Sequence, residues 1–281
     1  MTAPNLEKLT AETCEIVREV AIFLLAEKGK VENQQIETKS KNSLVSYVDK
    51  TAEKMLVDGL QKLLPDSVFL TEEETVETQE GDYQWIIDPL DGTTNFLHDL
   101  PCFSISVALR MKEELVIGVV HEVNENETFH AYKNGGAYLN DKKISVSATT
   151  TLSETLIATG FPYYDYSKVK NYLKMLEYLM QETRGIRRFG SAAVDLVYVA
   201  CGRFDAFFEY SLNAWDVAAG ILIVQEAGGQ VADFSGGKEY LFGREIVATN
   251  AGIAEEFSKL VQKAFSEDST MSEHSDNQGF V

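Results

Sequence analysis

Residues 85–109 read WIIDPLDGTTNFLHDLPCFSISVAL, and the changes of character within them decide the fold. Trp85, Ile86 and Ile87 form a short apolar run of strand type. The run gives way to a loop with two carboxylates, Asp88 and Asp91. There Pro89 fixes the backbone, and a three-residue turn is expected to return Asp91 toward the cavity that Asp88 faces. Between Cys102 and Ile144 the apolar period becomes two. SISVALRM, LVIGVVHEV and ETFHAYKN read as strands joined by polar turns at Lys112–Glu113 and Asn124–Asn126, followed by an edge-like AYLNDKKI. This is an antiparallel meander.

Working outward, residues 7–28 place Leu9, Cys14, Val17, Val20, Ala21, Leu24 and Leu25 at helical spacing and end near Gly29. A polar stretch, 30–43, separates them from a second helix between Ser46 and Leu64, closed by Pro65. The strand in SVFLTEEE then runs straight into acids. From Glu154 helices and strands alternate: LIATG, a helix over 166–182, RRFG, a helix over 191–201, DAFFE, a helix over 215–227, GQVAD, EIVATN and a helix over 251–265. The pattern predicts an α+β lobe over 1–150 that carries most candidate ligands. A layered α/β lobe over 151–265 and a flexible tail over 266–281 complete it.

Composition narrows the function. No stretch of 18 uninterrupted apolar residues occurs, which excludes a helical membrane span. The start of the chain is amphipathic from Leu6 onward and carries Glu and Lys throughout, unlike a secretory leader. Cys14, Cys102 and Cys201 are odd in number and widely spaced in apolar surroundings. They read as thiols of a cytoplasmic protein and not as a disulfide frame or zinc site. With 44 acidic against 25 basic side chains the formal charge is −19, which repels nucleic acid and anionic membranes. A phosphate ester would meet the same repulsion unless bound divalent cations inverted the local potential.

The acids sit in telling places. Glu72 and Glu73 follow the apolar VFL, Asp88 and Asp91 follow WII, and Asp216 opens the helix after DAFFE. Ligand sites in open sheets form at such strand ends. Two converging carboxylates can bridge hard cations roughly 3.5–4 Å apart. Oxygen donors without a Cys or His cluster favour magnesium over zinc. Gly92 allows close approach, and the Thr93 and Thr94 hydroxyls and amides can face a phosphate at a helix start. Taken singly, each feature has a plain structural reading. DPLDG makes an ordinary turn, Asp216 caps a helix, and TEEE is a solvated loop. Their joint placement at successive strand ends favours the metal reading.

The 85–109 stretch resembles the first signature of the inositol monophosphatase family. WDVAAGILIVQEAGG (215–229) resembles its second, and FLTEEE its glutamate segment. Similarity covers roughly residues 6–265, with the three segments in the family's order. The resemblance implies the layered αβαβα sandwich shared with fructose-1,6-bisphosphatase. It also implies two or three Mg²⁺ ions held by Glu72, Asp88, the Leu90 carbonyl, Asp91 and Asp216, with Glu73 as the alternative to Glu72. Thr93 and Glu72 would act on the attacking water, supported by Asp49, and Gly92, Thr93 and Thr94 would contact phosphate. Asp91, Gly190, Ser191, Glu209 and Asp216 would meet the substrate. The implied activity is hydrolysis of a small phosphomonoester such as inositol 1-phosphate, without a phospho-enzyme, by a lithium-sensitive homodimer.

Segments 161–166 and 204–210, rich in aromatic residues, offer interface surface for that dimer. His121 and His130 lie in alternating strand sequence and read as structural. His98 lies just past the metal loop, with Asp99 where the family often has glycine. Arg187 and Arg188 stand out in so acidic a chain. The rival readings are a nucleotide 3′,5′-bisphosphate, fructose 1,6-bisphosphate or histidinol phosphate phosphatase on the same core, and a non-catalytic regulatory binder that keeps the fold.

Overall fold

The computed structural model describes residues 4–32, 35, 37–40, 43–162 and 165–266. The expected tail thus lies outside the described residues, Ser266 apart. Asn5 caps helix α1 (Leu6–Glu27) by accepting from the Lys8 amide. Ser46 and Asp49 form a capping box on α2 (Tyr47–Leu63). Between them the polar stretch does contain structure, a hairpin of β1 (Glu37–Ser40) and β2 (Ser43–Val45). Its residues, ETKS and SLV, are mostly polar, so no apolar alternation announced it.

The first large sheet has seven strands in chain order: β3 (Val68–Thr71), β4 (Tyr83–Asp91), β5 (Ser104–Met111), β6 (Glu114–Glu122), β7 (Glu127–Tyr132), β8 (Gly136–Leu139) and β9 (Lys142–Ile144). β3 and β4 are parallel and every later pair is antiparallel, so the meander is as read. The short helix α3 (Thr93–Leu97) joins β4 to β5.

The second sheet is mixed, with order β11-β10-β12-β14-β13. Its chain runs β10 (Leu156–Thr159), helix α4 (Val169–Glu182), β11 (Gly185–Arg187), α5 (Ala192–Ala200), β12 (Ala206–Tyr210), α6 (Ala214–Glu226), β13 (Gln230–Ala232), β14 (Glu245–Thr249) and α7 (Ala254–Phe265). The strand expected at RRFG ends at Arg187, because the parallel register sets Ile186 opposite Ile157. The next residues leave the sheet to reach the start of α5.

Alternation along the strands assigns three cores and five layers. Trp85 and Ile87 pack with α1 and α2, whereas Ile86 points the other way, toward α5 and α6. Phe207 joins that middle core from the second sheet, while Ala206, Phe208 and Tyr210 face α4 and α7. The order is helices, sheet, helices, sheet, helices: the αβαβα sandwich. The 204–210 segment is therefore core and not interface surface: Phe204, Phe207, Phe208 and Tyr210 are all buried. Phe161 and Tyr166 of the other aromatic segment are exposed, and Tyr163 and Tyr164 lie outside the described residues. No helix of the described residues is long and apolar enough to cross a membrane, and all three cysteines are free.

His121 is structural, as its alternating context suggested. It is buried, with Nδ1 2.9 Å from the Thr128 hydroxyl. That hydroxyl also accepts from Arg18 Nε. Burial, with help from Arg18, pushes the imidazole pKa down to about 4. The unfolded value is about 6.5, so this contribution is complete above that pH and is lost as pH falls toward 4. Stability should drop by about 2 kcal/mol between pH 7.5 and pH 5 on this account. Urea unfolding at both pH values checks it: His121→Gln should show a drop smaller by that amount, and an equal drop would reject the assignment.

Candidate active site

Strand β4 ends in a bulge. Asp88 pairs with Ser106 and Asp91 with Ser104, so three residue steps on β4 span two on β5. In a regular strand, side chains three apart point to opposite faces. The extra residue cancels that, and both carboxylates reach one cavity. The expected three-residue turn is thus a bulge within the strand, and Pro89, with no N–H to give, sits inside it. Asp88 accepts from the Leu90 amide at 2.9 Å. Leu90 also lines the cavity, and its carbonyl lies 3.0 Å from the Thr93 hydroxyl.

Gly92 turns the chain into α3 with φ 95°. A β-carbon there would stand 3.0 Å from the Cys102 carbonyl and 3.3 Å from that of Gly190, so both conformation and space require glycine. The first-turn amides of α3 have no intrahelical acceptor, and Gly92, Thr93 and Thr94 all line the cavity. Behind Thr93, its hydroxyl lies 3.2 Å from Asp49 Oδ1. Asp49 Oδ2 accepts from the Ser46 amide and hydroxyl, both at 2.8 Å. One carboxylate thus caps α2 and backs Thr93, and burial raises its pKa.

Glu72 lines the cavity and Glu73 does not. The loop after β3 is tied down by Glu53 of α2, which is fully buried. Its carboxylate accepts from the Glu73 amide and from the Thr75 amide and hydroxyl, at 2.7–2.8 Å. Nothing in the spacing of α2 marked Glu53 for this work.

The second half of the chain closes the site. Asp91 Oδ2 accepts from the Ser191 hydroxyl at 2.6 Å and the Ala193 amide at 2.7 Å, joining β4 to the start of α5. Ser191 also caps α5 and lines the cavity beside Gly190. Asp216, third residue of α6, accepts from the Asn213 amide at 2.6 Å and faces the cavity. Its capping role and its place in the site coexist. Glu209 on β12 lies against Gly160, where a β-carbon would stand 2.1 Å from the carboxylate. Arg188 lines the cavity beside Gly190, while Arg187 is exposed and turned to the Ile186 carbonyl. His98 is exposed and His130 packs on Tyr138, both away from the cavity.

Crowding of like charges dominates the electrostatics. Burial, then Glu72, Asp91 and Asp216, push the Asp88 carboxyl well above its usual range. Asp216 is raised by burial, then by Glu72 and Asp91. Asp91 reaches about 6, raised by burial and held down by Ser191 and Ala193. Carboxylates so arranged cannot all ionise without a counter-charge. Among the described residues no three acidic, histidine or cysteine side chains form a ready-made metal cluster. The donor chemistry nevertheless fits a hard divalent cation: Glu72, Asp88, Asp91, Asp216 and Leu90 line one cavity, which has no Cys or His. A larger adjoining groove lacks this chemistry. Its Glu127 pairs with Arg203, and its Glu122 accepts from Asn124 and Glu125.

Asp195 and Ser211 are among the lining residues that escaped the sequence reading. Asp195 is a lone acid in the apolar helix AAVDLVYVA, a signal that was there to be read. Ser211 carried none, and adopts φ 71° in the loop before α6.

Comparison with known proteins fits this geometry. Residues 5–267 match the model of the inositol monophosphatase family. An inositol-1-monophosphatase of Mesorhizobium japonicum is 41% identical over 85% of this chain and 90% of its own length. The Nus factor SuhB of Escherichia coli strain K12 is 45% identical over 75% of this chain and 80% of its own. The crystal structure of the extragenic suppressor protein suhB of Bartonella henselae superposes with a TM-score of 0.85. It covers 90% of this chain and 98% of that one at 39% identity. The chain belongs to the inositol monophosphatase family.

Proposed function

We propose that the protein hydrolyses the phosphomonoester of a small polyol, inositol 1-phosphate first among them, with Mg²⁺ as cofactor. The observation that carries this reading is the meeting of Glu72, Asp88, Asp91 and Asp216 in one cavity with the Thr93–Asp49 pair and the start of α3. Family membership and the Mesorhizobium relative's name support it. Glu72, Asp88, the Leu90 carbonyl, Asp91 and Asp216 are the residues to hold two or three Mg²⁺ ions, which supply Lewis acidity and counter-charge when bound.

The chain's own groups do the rest. The α3 amides at Thr93 and Thr94 hold phosphate oxygens, and Gly92 leaves them room. Thr93, hydrogen-bonded to Asp49, orients a water between itself and Glu72 and passes its proton toward those carboxylates. Asp91 and Asp216 meet the ester side, with Ser191 fixing Asp91. Glu209 and Gly190 border the alcohol portion. The water's oxygen bonds to phosphorus as the ester bond breaks; the alcohol oxygen leaves with the bonding pair and takes a proton from solvent, with no enzyme-bound phosphate.

Glu209 sets the substrate class, because a carboxylate accepts from hydroxyls and repels a second phosphate. Glu209→Gln should lower kcat/KM for inositol 1-phosphate by about 10–100-fold, and much less for an aryl phosphate. A wild-type preference for fructose 1,6-bisphosphate or a nucleotide 3′,5′-bisphosphate in the same assay would reverse the ranking.

The Escherichia coli relative's name favours a second reading, a regulatory binder that keeps the fold. Phosphate release separates the two. We further infer a cytoplasmic homodimer inhibited by Li⁺; light scattering that gives a monomer at micromolar concentration would remove the dimer.

A further inference from the structure

Helix α2 buries two carboxylates, Asp49 and Glu53, four residues apart and so on one helix face. Asp49 backs Thr93. Glu53 does not line the cavity and turns instead to the loop that follows Glu72. Its Oε2 accepts from the Glu73 amide at 2.7 Å, and its Oε1 from the Thr75 amide at 2.8 Å and hydroxyl at 2.7 Å. Between those amides Glu74 takes a left-handed conformation, φ 50°, and both N–H groups reach one carboxylate. Main chain of this shape forms a nest for an anion, and here the anion is a side chain of α2. A buried carboxylate is costly unless its acceptors are filled. An apolar side chain would pack behind the loop without that cost, so packing alone does not explain Glu53.

The loop matters because of Glu72. The Glu72 amide makes a last bond to β4, reaching the Ile87 carbonyl at 3.2 Å, and the residue after it is the first that Glu53 grips. The Glu72 carboxylate shares its cavity with Asp88, Asp91 and Asp216, so like charges push the loop outward until a cation binds. We propose that Glu53 is a positioning residue for the metal centre: it holds the Glu72 loop against this repulsion, so that Glu72 is in place before Mg²⁺ arrives. This rests on the metal reading above. Ordering a ligand in advance raises affinity for what it binds. Glu53 touches neither cation nor substrate, and it therefore sets metal affinity and not turnover once metal saturates.

The test is calorimetric titration of Mg²⁺ into the chelator-treated full chain, without substrate. Glu53→Gln removes the charge and sets an NH₂ group against at least one of the three donors. Affinity should fall about tenfold, the lower end for outer partners of metal ligands. The Mg²⁺ concentration for half-maximal phosphate release should rise by the same factor, with kcat at saturating Mg²⁺ within about threefold of wild type. Added to Glu72→Gln, the same change should cost little further affinity, because it acts through Glu72. A general packing defect would cost as much in both backgrounds. Thr75→Val removes one donor with less risk to the fold and should weaken Mg²⁺ about threefold. Unchanged affinity in Glu53→Gln, or in Thr75→Val should Glu53→Gln not fold, overturns the proposal. So does a full tenfold loss on top of Glu72→Gln. Wild-type protein that binds Mg²⁺ yet releases no phosphate defeats the phosphatase reading and leaves this titration valid. Wild-type protein that binds no Mg²⁺ defeats the metal centre, and the role of Glu53 with it.

Discussion

Asp91→Asn is expected to cut turnover of inositol 1-phosphate by at least about 10²-fold, the scale of losing a main electrostatic contributor. The amide keeps the shape of the carboxylate, and its carbonyl can still accept from the Ser191 hydroxyl and Ala193 amide that hold Asp91. The link between β4 and α5 therefore survives, while one negative charge leaves the cluster. Since Asp88 and Asp216 are each destabilised as anions by Asp91, the metal-free variant should melt about 2–4 °C above wild type, equivalent to roughly 1 kcal/mol. A less active but more stable protein is the mark of a charge kept for chemistry. Near-normal turnover would remove Asp91 from the metal set, and a lower melting point would mean that the loss came from damage to the fold.

The second large effect belongs to Thr93→Val, which replaces the hydroxyl by a methyl of similar volume. The Thr93 hydroxyl stands between Asp49 Oδ1 and the Leu90 carbonyl, so on the proposed mechanism the substitution cuts the path from the attacking water to Asp49. General-base contributions run at about 10²–10⁴-fold. We expect kcat to fall by about 10³-fold with KM changed far less, because the amides that hold phosphate remain. Asp49→Asn should share part of that loss and add little to it in the double variant, as members of one relay do. Independent, multiplying losses would show that Asp49 acts only as the α2 cap.

Much of this was legible from residue order because the two halves of the sandwich announce themselves differently. A period near two from Ser104 to Tyr132, broken by polar turns, pointed to the meander, and alternating helices and strands to the second sheet. Acids at strand ends located the cavity, since a strand that is apolar up to its last residue must deliver the next side chain to an edge. What stayed hidden depends on register and on contacts distant in sequence. A bulge and a turn at Pro89 have the same sequence, and only the pairing of Asp88 with Ser106 and Asp91 with Ser104 separates them. That Glu72 and not Glu73 lines the cavity goes with a loop held by Glu53, some twenty residues upstream. FDAFFEY looked like interface surface because aromatic residues serve cores and interfaces alike, and the strand proved to be covered on both faces. The hairpin at 37–45 lacks apolar alternation altogether. Ser211 was invisible because a left-handed backbone at serine leaves no trace in composition.

The central claim is tested most directly by following phosphate and free inositol when chelator-treated protein meets inositol 1-phosphate, before and after Mg²⁺ is restored. The account predicts no release in chelator, recovery on adding Mg²⁺, and one inositol freed for each phosphate. Undiminished release in chelator, or none at any Mg²⁺ concentration, would contradict it.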